Sequence, residues 1–446
     1  LKSNPSSLTI KQKLGYGLGS SASNFIWQMV SFYLLFFYTD VFGIPAAAAG
    51  TLLLLARVFD GLNDLVEGHI VDLTRSRWGR FRPYLLFGAL PIALLLVLTF
   101  YTPDISVNAK IAYAAVTYVL LGIAYSFITI PHSALMASMT QDTNERSSLA
   151  SFLMASVYAT ILVVAATTMP LVNLFPTRQI GFTATAAIFG ILAIILYLVC
   201  FASTREIKPA PVRKNSVKAE FKLLARNKYL LIMLAALLFT QAANDMRTSS
   251  AIYFFKYNIG SDSLYPVFMA AMIICMVAGA LVAPILARKL ASKRNLFIAG
   301  TLVVVLSSTA VIFVPYSNIA LITAGLGISS VGIGITYVMI RSMLADTVEY
   351  GEWKTGTRGE GIIFSTFGIT NKLGYALGGS LSAFLLASAG YIPDVVQNKQ
   401  VLDVILYMLT LFPVIAGVLA IAIMFFYKLD NRHYDDVLRD LKERNG

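Results

Sequence analysis

Residues 57 to 72 read RVFDGLNDLVEGHIVD and set Arg57, Asp60, Asn63, Asp64 and Glu67 inside a long apolar run. On a helix, Asp60 and Asp64 stand one turn apart on the same face, Asn63 and Glu67 lie close by, and Arg57 is a turn nearer the N-terminus. Carboxylates supplemented by amide and hydroxyl oxygens suit a hard cation, and the same carboxylates can carry a proton. A structural ion pair between Arg57 and one acid is the plainer reading, but it leaves two acids unexplained. Acid–base catalysis fits poorly, because Asp60 and Asp64 share one helix with no second group placed across from them.

The surroundings of the stripe decide how it must be held. Hydrophobic residues make up 57% of the chain and charged residues 13%, against roughly 25% charged in a soluble domain. Apolar runs of about 20 residues, the length that crosses ~30 Å of hydrocarbon as a helix, recur along nearly the whole chain. The chain therefore reads as an all-α, polytopic membrane protein; a membrane barrel would alternate over about ten residues instead. A carboxylate at the centre of a membrane helix costs roughly 3 kcal/mol even on insertion scales, so the stripe must face a bundle interior or a water-filled cavity.

The net charge of +12 follows from topology and not from a nucleic-acid partner. Lys11 and Lys13 precede the first run, and Arg75, Arg77, Arg80 and Arg82 follow the second. Lys208, Arg213, Lys214, Lys218 and Lys222 fill a central polar segment, and Arg288, Lys289, Lys293, Arg294, Lys354 and Arg358 mark two later loops. The alternate loops hold single basic residues such as Lys110, Arg178, Lys256 and Lys399. This is the positive-inside pattern, with both termini cytoplasmic. Cys200 and Cys275 lie in apolar runs, so no disulfide framework is expected, and LKSNPSS lacks a cleavable signal pattern, so the first span is expected to be retained.

Gly, Pro and charge punctuation predicts about twelve spans, at 14–40, 46–72, 83–101, 109–137, 147–172, 179–202, 229–256, 263–287, 295–315, 318–346, 360–390 and 402–428. The expected organisation is an N-terminal six-helix bundle over 1–203, a cytoplasmic linker with a short surface helix over 204–228, a C-terminal six-helix bundle over 229–428 and a cytoplasmic tail over 429–446. The halves echo each other: RSRWGRFRP after the second span matches ARKLASKRN after the eighth, and ALMASMTQDTNER after the fourth matches SMLADTVEYGEWKTGTR after the tenth. Equivalent basic loops at equivalent places point to parallel repeats about an axis along the membrane normal.

Further polar groups stand out against this background. Lys372, in FSTFGITNKLGYALGGS, lies about a dozen residues into the eleventh span, too deep for simple snorkelling, and the small residues around it permit close helix approach. A lysine near the carboxylates can compete with a cation for them, which is a coupling device. FTQAANDMRTSSAIYFF of the seventh span carries Asn244, Asp245 and Arg247; Asp245 and Arg247 can pair with each other, or the cluster can hydrogen-bond a sugar. Trp27, Gln28 and Tyr125 are further cavity candidates, since aromatic rings stack on the apolar faces of pyranosides.

Together YTDVFGI, ARVFDGLND, TRSRWGRFRP, the Ile130-Pro131 pair and DTVEYGEWKTGTRGEG resemble the glycoside-pentoside-hexuronide:cation symporters of the major facilitator superfamily, typified by melibiose permease. The resemblance covers nearly all of the chain. It implies that Asp60, Asn63 and Asp64 lie on the family's cation-binding helix, that Ser126 falls where melibiose permease has a threonine completing the site, and that Lys372 is the family's helix-eleven lysine near it. Arg146, Asp346, Glu349 and Arg358 match residues that make cytoplasmic ion pairs in the outward-open state. The departures are as telling. Asn24 and Thr129 stand where melibiose permease has the two aspartates that hold its galactoside, Ser23 stands for a lysine and Met154 for an arginine. Glu67 and His132 replace uncharged residues; His132 is read as packing or cargo-lining and not as a proton relay.

The expected function is therefore secondary active symport of a glycoside, pentoside or hexuronide with Na⁺ or H⁺ by alternating access. The protein is expected to act as a monomer in the cell inner (plasma) membrane, with lipid around it and with no cofactor, bound metal or enzymatic activity. The cargo would meet Asn24, Trp27, Gln28, Arg57, Tyr125, Thr129, Asn244 and Arg247. No G-x-x-x-x-G-K-[ST] loop supports a primary pump, and no repeated filter supports a channel. A symporter of an amphipathic, lipid-like cargo is the rival reading, disfavoured by the polar residues Asn24, Gln28, Thr129 and Asn244. Cysteine-accessibility labelling tests the topology: positions 80 and 214 should react from the cytoplasmic side and positions 110 and 399 from the other, and any exchange between the pairs would sink it.

Overall fold

The computed structural model describes residues 8–140, 142–206, 217–290, 292–356 and 359–429, with 434, 436, 437, 439–441 and 443 of the tail. Among them every regular element is helical: α1 (Ile10–Phe36), α2 (Ala46–Leu73), α3 (Arg82–Thr99), α4 (Val107–Met139), α5 (Thr143–Val172), α6 (Arg178–Ser203), the short α7 (Val217–Arg226), α8 (Lys228–Tyr253), α9 (Tyr265–Leu290), α10 (Lys293–Ile312), α11 (Ile319–Thr355), α12 (Glu360–Ser388), α13 (Lys399–Leu409) and α14 (Leu411–Met424). The chain divides into two compact units, Leu1–Val212 with Ile392–Val395, and Arg213–Tyr391 with Val396–Gly446. Nine described elements are both long and apolar enough to cross a membrane, α13 and α14 counting as one. The span-length helices outside that set are α1, α2 and α12, of 27, 28 and 29 residues. They are the helices that carry Asn24 to Gln28, the acidic stripe and Lys372, so polarity is concentrated where function is expected.

Local chemistry sets the helix starts. Thr9 accepts the Gln12 N–H while the Gln12 side chain accepts the Thr9 N–H, a capping box. Ser106, Thr177, Asn227, Ser292, Asn318 and Asn398 each accept an N–H of the first turn of α4, α6, α8, α10, α11 and α13. Large apolar side chains such as Leu90, Leu94 and Leu98 point outward along α3 at 57%, 54% and 43% exposure, as suits a face in contact with lipid.

Two elements depart from the sequence expectation. The tenth span, expected to stop at 346, runs on as helix through DTVEYGEWKT to Thr355 and ends at Gly356 with φ 71°; charge marks the membrane boundary but does not end the helix. The last span, expected as one helix over 402–428, is broken at Thr410. Pro413 has no N–H to give the carbonyl four residues earlier, and that carbonyl, of Leu409, accepts instead from Arg247 Nε at 3.1 Å.

The units repeat one construction. In the first, α1 continues into a π-helical turn (Phe37–Val41), Gly43 takes φ 82°, and the Ile44 N–H reaches back to the Tyr38 carbonyl at 3.0 Å. In the second, α8 continues into a π-helical turn (Phe254–Ile259), Gly260 takes φ 80°, and the Ser261 N–H reaches the Phe255 carbonyl at 2.9 Å. The separation of Gly43 from Gly260, 217 residues, also relates the two hydrogen-bonded pairs, the ends of α2 and α9 at Leu73 and Leu290, and the starts of α5 and α12 at Thr143 and Glu360. The two units thus repeat one helix plan at a fixed separation in sequence.

Within the second unit, α8 and α12 touch through glycine. A Cβ on Gly378 would lie 2.5 Å from the Ala242 carbonyl oxygen and one on Gly374 2.7 Å from the Gln241 side chain, whereas Gly368 has open space around it. Gly378→Ala should cost about 1–3 kcal/mol through forced separation of the helices, and Gly368→Ala should leave the melting temperature unchanged or raised. Thermal unfolding in detergent reads both; equal behaviour of the two variants would contradict the close contact.

Candidate functional site

In the first unit Arg57 of α2 meets α1 and α4, and Asp60 meets α4. Arg57, Asp60 and Glu67 are 7%, 6% and 1% exposed, and Ser126 1%. Asp60 Oδ2 lies 3.8 Å from Arg57 Nη1, so the plain ion pair of the sequence reading exists. It does not exhaust the cluster: Ser126 Oγ donates to Asp60 Oδ1 at 3.3 Å, and Asn63 Nδ2 donates to Glu67 Oε1. Asp60 thus gathers a hydroxyl from a different helix, an arrangement that supplies anionic and neutral oxygens to one point. Beside it is a crevice about the size of one water molecule or ion, lined by Ala56, Arg57, Phe59, Asp60, Tyr118, Val119, Gly122 and Ile123. Asp64 follows Asp60 by one turn on α2, but its side chain lies outside the described set.

An aromatic and cationic stack flanks the acids. The Arg57 guanidinium lies 3.9 Å over the Trp27 ring and 5.5 Å from the Tyr118 ring, and Trp27 meets Tyr125 with ring centroids 4.7 Å apart. Tyr118 and Gly122 were not among the sequence candidates; they precede Tyr125 and Ser126 on α4 by helical intervals, and that spacing was the available signal. Asn24 Nδ2 donates to the Ser20 carbonyl at 2.9 Å and Gln28 Nε2 to Asn24 Oδ1 at 3.2 Å, so Asn24 and Gln28 form one polar strip on α1. Thr129 donates to the Tyr125 carbonyl at 2.9 Å, and Ser23 bonds Tyr197 at 2.9 Å inside the unit. His132 stacks on Tyr16, rings 4.6 Å apart, with Nε2 3.0 Å from the Tyr16 carbonyl oxygen; its surroundings are those of packing.

In the second unit Lys372 is half-buried on α12 and Asn244 half-buried on α8. Arg247 departs from the cargo-lining role expected of it. It is 6% exposed, and its donors go to the Leu409 carbonyl, Ser329 Oγ at 2.7 Å and Ser308 Oγ at 2.7 Å, which ties α8 to α10, α11 and the break before α14. Of the expected gate residues, Asp346 receives both its carboxylate contacts from Lys293 Nζ at 2.7 Å, and Arg146 Nε donates to the Thr140 carbonyl at 3.0 Å. Glu349 lies on the extension of α11 past Asp346, and Arg358 falls outside the described residues. No group of three or more His, Cys, Asp or Glu side chains able to hold a metal ion occurs among the described residues.

The chain was compared with known proteins. A family model described as MFS/sugar transport protein matches residues 15–431. A putative glycoside/cation symporter of Escherichia coli strain K12 is 35% identical over 97% of this chain and 95% of its own. A glucuronide carrier protein homolog of the same organism is 34% identical over 97% and 95%. The crystal structure of a D-xylose-proton symporter superposes with a TM-score of 0.63 at 12% identity, covering 94% of this chain and 96% of that one, which is a likeness of fold. With a family model spanning both units and a twofold helical repeat in the structure, the chain belongs to the MFS/sugar transport family: it is a membrane transporter and not an enzyme.

Proposed function

We propose that the protein couples downhill entry of Na⁺ or H⁺ to symport of a glycoside, pentoside or hexuronide by alternating access. It does so as a monomer in the inner (plasma) membrane, with both termini cytoplasmic. The observation that carries the reading is the buried Asp60 with its Ser126 donor, beside a crevice about the size of one water molecule or ion. In the repeat of 217 residues, the counterparts of Arg57, Asp60, Asp64 and Glu67 on α9 are Ile274, Val277, Leu281 and Pro284. The fold stands without charge at those positions in its second half, so the acids serve chemistry and not architecture.

Asp60 and Asp64, with Asn63 and Ser126, hold the cation; Lys372 competes for the carboxylates when the cation leaves. Neutral oxygens beside the carboxylates suit Na⁺, and Glu67 provides a route for a proton. A cation drives cargo only if its binding is coupled to cargo affinity or to the conformational change. Asp60→Asn should therefore abolish accumulation against a gradient in proteoliposomes while downhill exchange persists, and imposing Na⁺ and pH gradients separately identifies the ion. Accumulation by Asp60→Asn at the parent level would refute the cation site.

For the cargo, Asn24, Gln28 and Thr129 offer neutral donors and acceptors, and Trp27 with Tyr125 a stacking surface, a set that suits hydroxyl-rich rings. Within the class, Arg57 and the loss of the two family aspartates leave the first unit open to a hexuronide as well as to a neutral ring. A galactoside that depends on those aspartates should bind poorly, and strong melibiose binding to the purified protein, unaffected by Asn24→Ala or Thr129→Ala, would overturn this site. Arg146, Asp346, Glu349 and Arg358 serve the cytoplasmic gate. Neutralising Arg146 should raise reactivity of cavity cysteines from the cytoplasmic side severalfold, and an unchanged labelling rate would remove it from the gate.

A further inference from the structure

We infer that Gln241 and Asp245 complete, with Asn244, a second cargo-binding strip on α8 that is the counterpart of Asn24, Trp27 and Gln28 on α1, and that its carboxylate selects a neutral glycoside over a uronide. The inference rests on the sugar-symport reading and narrows its cargo.

The register comes from the paired helix ends. Because α1 and α8 finish in the same π-helical turn, the same left-handed glycine and the same back-reaching hydrogen bond, residues along the two helices correspond at the fixed separation of 217 without a gap. Asn24, Trp27 and Gln28 fall on Gln241, Asn244 and Asp245, and Ser31 on Thr248. Along α1, whose middle is otherwise buried, the half-buried positions 24, 27, 28 and 31 follow the i, i+3, i+4, i+7 pattern of one face. A polar, partly open face on an otherwise enclosed membrane helix is one that meets water or cargo. On α8 the same face keeps its polarity, and Asn244 and Thr248 keep their half-burial.

Register alone would not suffice, since the counterparts of the α2 acids on α9 are apolar. On α8 three consecutive members of the face are polar, one a carboxylate, although the helix lies in hydrocarbon where such groups are expensive. Gln241 and Asp245 are 5% and 7% exposed because α12 comes close there. A Cβ on Gly374 would strike the Gln241 side chain, and one on Gly378 would lie 2.7 Å from Asp245 Cβ. The strip is thereby braced against the helix that carries Lys372. Arg247, two residues on, directs its donors away to Ser308, Ser329 and Leu409.

The chemistry of the strip differs from that of its α1 partner. A carboxylate accepts hydrogen bonds from two sugar hydroxyls and repels an anionic ring, whereas an amide does the first less well and the second not at all. Asp245 therefore restores to the second half an acid of the kind that positions 24 and 129 lack in the first.

The test is calorimetric binding of p-nitrophenyl β-D-xyloside, β-D-glucoside and β-D-glucuronide to the purified full chain, with sugar counterflow in proteoliposomes alongside. The parent should bind at least one neutral glycoside. Asp245→Asn should weaken that binding tenfold or more without weakening the glucuronide, and Asn244→Ala should weaken it severalfold. Should Asp245→Asn not fold, Asn244→Ala and Gln241→Ala decide the matter. Neutral-glycoside binding at the parent level in the folded variants, or a loss confined to the glucuronide, overturns the assignment and leaves the symport reading standing. Absence of binding and counterflow with every sugar in the parent overturns both.

Discussion

The cost of a carboxylate in hydrocarbon is the constraint on which the first unit is built. Several kcal/mol stand against each acid that meets lipid, and Asp60 and Glu67 are accordingly nearly inaccessible, with α4 reaching Asp60 and α1 reaching Arg57. Enclosure alone would leave the charges desolvated and unstable. The same helices therefore bring compensating groups: the Ser126 hydroxyl, the Arg57 guanidinium, and the Trp27 and Tyr118 rings beneath that guanidinium. A cation entering such a place would replace lost hydration instead of adding a strange charge.

The repeat gives a control internal to the molecule. Both units share helix ends, turn chemistry and the pairing of the first helix with the fifth, as α1 with α5 and α8 with α12. They differ where chemistry is proposed. Arg57 and the acids of α2 correspond to Ile274, Val277, Leu281 and Pro284 in the register of α9, and Lys372 of α12 corresponds to Ala155 of α5. One half carries the acids and the other the base.

Much of this was legible in the sequence because membrane helices announce themselves by length and apolarity, and Gly, Pro and charge mark the breaks between them. The acidic stripe was legible for the opposite reason, since Asp60 and its neighbours violate the apolar pattern. Three things were hidden. The continuation of α11 past Asp346 was masked by charge, which reports water and not helix end. The direction of Arg247 was hidden because a helical face cannot be told from spacing when the span is polar on more than one side. Gln241 and Asp245 became visible as a strip only once the π-helical turns fixed the register between the halves, and no local motif encodes that correspondence.

The break before α14 has an evolutionary side. Arg247 acts there as a borrowed backbone donor, filling the place of the N–H that Pro413 lacks. The two residues are 166 positions apart in sequence, yet each removes the reason for the other: Arg247 alone lost leaves an orphaned carbonyl, and Pro413 alone lost leaves a guanidinium with one acceptor contested. Their effects on stability are thus non-additive. Exchanging both for residues with an ordinary N–H and an apolar side chain would return a backbone donor to the Leu409 carbonyl but withdraw the Arg247 donors from Ser308 and Ser329, so a change at either position bears on the other.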